Sequence, residues 1–243
     1  MFFLVANRLF FFFRTFANET LNNITLQKLF SSSLGRKISM AVSGIFLMIF
    51  LLQHFTINIT SIFSPELFNS LSHFMGTNAF VQFALQPVLI FGVIFHFSMG
   101  ILLDYQNKKA VKYSYHKEKG EKNASWMSRN MILSGLVVLA FLVLHFIDFW
   151  IPEMQYKYIE FLPEDPNRYY EELTHKFESP IRVIFYCLAF VLLALHLLHG
   201  FTSSIKSMGA DKSNSGKLKL FSYIYSIGIP LGFIVIAIYH FIN

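Results

Sequence analysis

Apolar residues dominate five long stretches of the chain, at about 39 to 62, 80 to 103, 131 to 150, 181 to 203 and 221 to 242. Crossing about 30 Å of hydrocarbon takes roughly 20 such residues in helical form. The pattern therefore predicts an all-α membrane protein, five transmembrane helices in a bundle, spanning residues 31–243. The first thirty residues are different. Arg8 and Arg14 break their apolar run, and no small-residue cleavage site of a secretory signal follows. They predict a disordered or interface-lying tail.

Polar residues between the stretches set the direction. One side receives Arg36 and Lys37, the loop from 104 to 130 with seven Lys or Arg, and then Lys206, Lys212, Lys217 and Lys219. The other receives SPELFNSLSHFMGTN, without a basic residue, and the stretch 151–180 with seven acids against three bases. Short basic loops stay in the cytoplasm, so the N-terminus is expected inside and the C-terminus outside. Composition agrees: 54% of residues are hydrophobic, 14% are charged, and the mean hydropathy is +0.49. The net charge of +6 is accounted for by these loops, so no nucleic-acid partner is expected and the lipid bilayer is. A single cysteine, Cys187, excludes a disulfide framework and a cysteine-ligated metal centre built by this chain alone. Metal chemistry here has to use histidine.

Five histidines fall inside the spans: His54, His96, His145, His196 and His199. A polar side chain there must face a partner, a cavity or a cofactor. Residues 43 to 55 read SGIFLMIFLLQHF and residues 134 to 146 read SGLVVLAFLVLHF, a repeat of Ser-Gly, nine apolar residues, then His-Phe. At 1.5 Å per residue His54 and His145 lie roughly 22 Å from the inner surface, while His96 and His196 lie roughly 12 to 15 Å from it. FHFSMG at 95–100 and LHLLHG at 195–200 share H-x3-G, where a glycine on the histidine's face removes bulk that would press on a flat macrocycle. A lone intramembrane histidine is ordinarily a helix-to-helix hydrogen bond; four in two level pairs point to two binding sites. Zinc wants four ligands, whereas haem iron takes two axial ones. His199 competes with His196 for the fourth position, and the H-x3-G parallel favours His196. His116, His175 and His240 are expected in loops or at the interface.

The stretches LLQHFTIN, FNSLSHFMGTN, FHFSMG, WMSRNMILSG leading to LHFIDFW, and LHLLHGF together resemble the di-haem cytochrome b membrane anchor of succinate:quinone oxidoreductases (succinate dehydrogenases and fumarate reductases). The resemblance covers most of the chain from about residue 28. It implies two haem b groups, a distal one held by His54 and His145 and a proximal one by His96 and His196. It further implies a FAD-containing flavoprotein subunit, an iron-sulfur protein subunit on the cytoplasmic face, menaquinone as substrate, and a multi-pass place in the bacterial cytoplasmic (inner) membrane. Dicarboxylate chemistry would belong to the partners; this chain would carry electrons between iron-sulfur protein and quinone.

Further residues become candidates in that setting. Arg129 and Arg182 could pair with haem propionates, a guanidinium matching a carboxylate bidentately, or could be plain interface anchors. Glu66 and His73 are candidates for handling protons at a quinone; Glu66 after Pro65 would equally suit a helix start. Asp148 and Trp150 are read as marking the membrane boundary, with contact to the distal haem or quinone as the other reading. Ala194 stands where some fumarate reductase relatives carry a glutamate. Two other classes remain: a haem-free anchor with a quinone site, and a histidine-dependent proton or ion transporter. The latter more usually shows intramembrane acids, inverted repeats and broken helices, and the repeat here relates helices of equal direction.

Overall fold

The computed structural model describes residues 32–111, 131–209 and 215–243. The N-terminal tail, Arg129 and most of the basic loop lie outside the described residues. Within them the regular structure is helical, and five helices are long and apolar enough to cross a membrane: Ser33–Ile62, Val81–Lys109, Met131–Tyr158, Pro180–Ser207 and Gly216–Ile242.

Local chemistry sets the helix boundaries. Helix α1 (Ser33–Ile59) begins where the Ser32 side chain accepts from the Gly35 N–H at 2.9 Å, the usual way to satisfy an orphan first-turn donor. It ends in the tight turn Thr60–Ile62. Ser64 then caps α2 (Pro65–Thr77), whose first turn holds Pro65; proline is preset for that position and its missing N–H costs nothing there. Asn78 Oδ1 accepts from the Phe80 and Val81 N–H groups and starts the next span. That span widens into a π-helical turn at Val81–Leu85 before α3 (Gln86–Val111). The third span is α4 (Met131–His145), a second π turn at Phe146–Trp150, and α5 (Ile151–Tyr158). A short helix α6 (Arg168–Phe177) leads to α7 (Pro180–Ser207) and α8 (Ser215–Ile242).

The third span was expected to stop at Trp150 and instead runs to Tyr158. Pro152 explains how. Proline cannot donate to the carbonyl four residues back and its ring crowds that carbonyl. The wider turn relieves both problems, because the Ile151 N–H reaches Phe146 O, five residues back, immediately before the proline. Pro87 is treated identically, with the Gln86 N–H on Val81 O. Single π turns of this kind are common at functional sites.

Helix α7 is central, packing against α1, α4 and α8, with α3 lying on α1. The shared core holds Met48, Tyr186, Phe190, Leu197, Ile229 and Phe233. Lipid is as apolar as leucine, so these helices associate through close packing and hydrogen bonds. Glycines provide the close approach: a Cβ at Gly92 would sit 2.7 Å from the Phe46 ring, and one at Gly232 would sit 2.3 Å from Phe55. Large side chains such as Phe83, Phe91, Ile184 and Phe185 stay exposed on the outside of the bundle, as a lipid-facing surface requires.

The end of the bundle where α1 starts is called here the near end, and the other the far end. Sequence patterning leaves 151–180 as an acidic loop, yet α2, α5 and α6 form a packed cap at the far end. Glu153 accepts from Lys157, Arg168 and Tyr169, Arg168 also reaches Glu172, and Lys157 donates to the Gly76 carbonyl. Asn69 Oδ1 accepts the Tyr170 N–H at 2.8 Å. His240, expected as an interfacial imidazole, is buried, with Nε2 2.9 Å from Ser61 Oγ and Tyr170 covering its ring.

Candidate functional site

Each expected histidine pair meets across the bundle, ring edge toward ring face. The ring centroids of His54 (α1) and His145 (α4) are 5.7 Å apart with planes at 86°. Those of His96 (α3) and His196 (α7) are 6.4 Å apart with planes at 74°. In neither pair do the two imidazoles hydrogen-bond one another. A metal–imidazole bond of about 2.0 Å on each side, plus a ring radius of about 1.2 Å, would put two imidazoles on opposite sides of one metal ion about 6.4 Å apart, centroid to centroid. Both pairs stand near that spacing. Among the described residues no three His, Cys, Asp or Glu side chains converge as a metal site, so each level offers two nitrogens, the number that a haem iron takes from protein.

The near-end pair sits between serines. Ser43 Oγ lies 3.0 Å from His96 Nδ1 and donates to the Met40 carbonyl at 2.9 Å. Ser134 Oγ lies 3.1 Å from His196 Nδ1 and donates to the Met131 carbonyl at 2.9 Å. These are the serines of the two Ser-Gly pairs. Their glycines lie under the same rings: a Cβ on Gly44 would be 3.3 Å from His96 Cε1, and one on Gly135 would be 3.6 Å from His196 Cε1. The glycines of the two H-x3-G segments face methionines of the repeat, Gly100 against Met40 and Gly200 against Met131. The repeat is therefore Met-x2-Ser-Gly-x9-His-Phe, three residues longer than the serine suggests. His199, one turn from His196, is half-buried and makes no ring contact with His96.

The far-end pair has an aromatic setting. Phe50 stacks on His54 at 5.6 Å and Phe233 lies at 5.8 Å, while Phe141 and Phe149 flank His145. His145 Nδ1 is buried without a hydrogen-bond partner. Asn58 Nδ2 approaches the His54 ring only to 3.5 Å and donates to the His54 carbonyl at 2.8 Å.

One turn beyond His145, Asp148 is 2% exposed. It is no boundary marker: the π turn swings it into the bundle, where Arg182 Nη2 lies 2.8 Å from Oδ1 and the Tyr186 hydroxyl donates to Oδ2 at 2.8 Å. The Arg182 guanidinium is thus engaged by a protein carboxylate. Sequence reading missed the Asp148, Arg182 and Tyr186 cluster, although three polar residues at matching height in adjoining spans were the available signal.

The two proton-handling candidates are not brought together. Glu66 is exposed in the first turn of α2, where its own backbone N–H and the Ser64 hydroxyl hold its carboxyl below the usual range. His73, two turns on, directs Nε2 to the Asp165 carbonyl at 2.8 Å and packs edge-on against Tyr169. A groove of about 410 Å³ opens instead on the outside of the bundle between the two π turns, lined by Gln82, Gln86, Pro87, Phe91 and Trp150. Tyr158 donates to Gln82 Oε1 at 2.8 Å, and the buried Trp150 Nε1 has no acceptor.

Comparison with protein-family models, with curated proteins and with solved structures returned no match.

Proposed function

We propose that this chain is the membrane anchor and electron-transfer subunit of a succinate:menaquinone oxidoreductase or fumarate reductase, a two-haem cytochrome b. The observation that carries the proposal is the pair of imidazole couples at 5.7 and 6.4 Å, one above the other in one bundle. When bound, each haem would supply a one-electron redox centre. The chain's part is to present His54 with His145, and His96 with His196, as neutral imidazoles. Phe50, Phe141 and Phe233 keep water from the far-end couple, and burial of this kind tunes haem potential. Two histidines held to each haem would leave no place for oxygen, which would favour electron transfer over oxygen binding.

In this reading the near end is cytoplasmic and meets the iron-sulfur protein, to which a FAD-containing flavoprotein is attached. Menaquinone would work at the far end. The lipid-facing groove with Gln82, Gln86 and the free Trp150 N–H suits a carbonyl-bearing head group with an apolar tail better than Glu66 and His73 do.

The test is a haem count per polypeptide with reduced-minus-oxidised spectra for wild type, His54→Ala and His96→Ala. Two haems in wild type and loss of a different one in each variant is the expected outcome. A purified chain without a Soret band would leave the haem-free anchor as the surviving alternative.

A further inference from the structure

The two Ser-Gly pairs recur with the histidines, yet neither is a ligand. We propose that Ser43 and Ser134 are positioning residues for the near-end pair, each holding the imidazole opposite as its Nδ1–H tautomer and leaving the Nε2 lone pair for iron. This rests on the haem reading above.

The argument is one of proton bookkeeping. A serine hydroxyl has one hydrogen and two lone pairs. Ser43 gives its hydrogen to the Met40 carbonyl and Ser134 gives its own to the Met131 carbonyl, each at 2.9 Å. Toward His96 Nδ1 at 3.0 Å and His196 Nδ1 at 3.1 Å they can then only accept. A neutral imidazole that donates from Nδ1 carries its lone pair on Nε2, and the hydrogen bond of one ring nitrogen fixes the role of the other. Gly44 and Gly135 belong to the same device. A Cβ at Gly44 would lie 3.3 Å from His96 Cε1 and 3.4 Å from Ser204 Oγ, so a side chain there would displace the ring from its acceptor.

Spacing ties the device to the ligands of the other level. From Ser43 to His54, and from Ser134 to His145, is eleven residues, close to three turns at 3.6 residues each and about 16 Å of axial rise. Serine and histidine therefore share one face of the helix. Each outward helix gives a ligand to the far-end site and a seat to a ligand of the near-end site. The far-end pair has no such seat, since His145 Nδ1 is unpartnered. A plain helix tie looks different: Ser61 also donates to a backbone carbonyl, that of Asn58, but it holds His240 by Nε2.

The experiment compares the full chain in bilayers as wild type, Ser43→Ala, Ser134→Ala and the corresponding Thr variants. Outer-shell partners of metal-bound histidine are typically worth 10–100-fold in affinity. The Ala variants should hold the near-end haem roughly 10–100-fold more weakly, raise its midpoint potential and move its low-field EPR signal, with the other haem unchanged. Thr should restore all three. Unchanged signals in both haems, or equal changes or losses in both, would overturn the proposal. Nitrogen-15 NMR of labelled histidine in the chain before haem loading separates this from the wider reading. Wild type should show protonated Nδ1 at His96 and His196, and each Ala variant should lose one such signal. If wild type takes up no haem, that loss still supports the positioning role while the electron-transfer reading falls. An unaltered tautomer population in the Ala variants sinks the positioning role by itself.

Discussion

Asp148 shows what a single buried charge demands. Its carboxylate is 2% exposed and lies against Arg182 and Tyr186, whereas Arg182 keeps a third of its side chain accessible, at 33%. The pair is thus asymmetric. Removing one partner of a buried ion pair costs about 3–5 kcal/mol because the other is stranded. Arg182→Ala strands the buried partner and should lose stability in that range, read as the thermal unfolding midpoint in detergent. Asp148→Asn should cost less, since Arg182 can turn toward water. Adding Asp148→Asn to Arg182→Ala should recover much of the loss; a double variant no better than Arg182→Ala would show that the charge is not what matters.

At the scale of helices, the sequence made the five spans and the four histidines legible because length and depth can be counted along one helix. What faces what across helices depends on their relative rotation, which counting does not supply. The serines of the repeat were visible in SGIFLMIF and SGLVVLAF, but their bonds to His96 and His196 join different spans. Asp148 stayed obscure because the π turn before Pro152 alters the register of the residues just past His145. His240 looked terminal, and Ser61 with Tyr170 buries it. Helix contacts of this kind can be tested one at a time. A Cβ at Gly232 would fall 2.3 Å from the Phe55 ring, and overpacking of that sort costs about 1–3 kcal/mol. Gly232→Ala should lower the thermal midpoint, and Phe55→Ala in the same chain should remove most of the penalty, since contacting sites are not additive. Independent, summing losses would mean α1 and α8 do not meet there.

The first four spans read as two like halves, with the fifth standing outside the repeat. Spans one and two carry Ser43, Gly44, His96 and Gly100 in the arrangement that spans three and four repeat with Ser134, Gly135, His196 and Gly200. Corresponding helices run the same way, whereas inverted repeats, a common plan in transporters, relate helices of opposite direction. This parallel arrangement puts each pair of equivalent histidines at one level of the bundle. In the proposed reading, two sites at separate heights would carry electrons across the bilayer only if the molecule had a fixed orientation. The charge pattern predicts one. Seven Lys or Arg lie between residues 104 and 130, against none between 64 and 78, and such a bias holds basic loops in the cytoplasm. The single cysteine makes this measurable. In a Cys187→Ser background, Glu164→Cys in the far-end cap should react with a membrane-impermeant maleimide in intact cells. Gln106→Cys near the basic loop should react only after the cells are opened. The reverse pattern would turn the near end outward, away from a cytoplasmic electron donor, and the proposed route from iron-sulfur protein through His96 and His196 to the far-end pair would have no starting point.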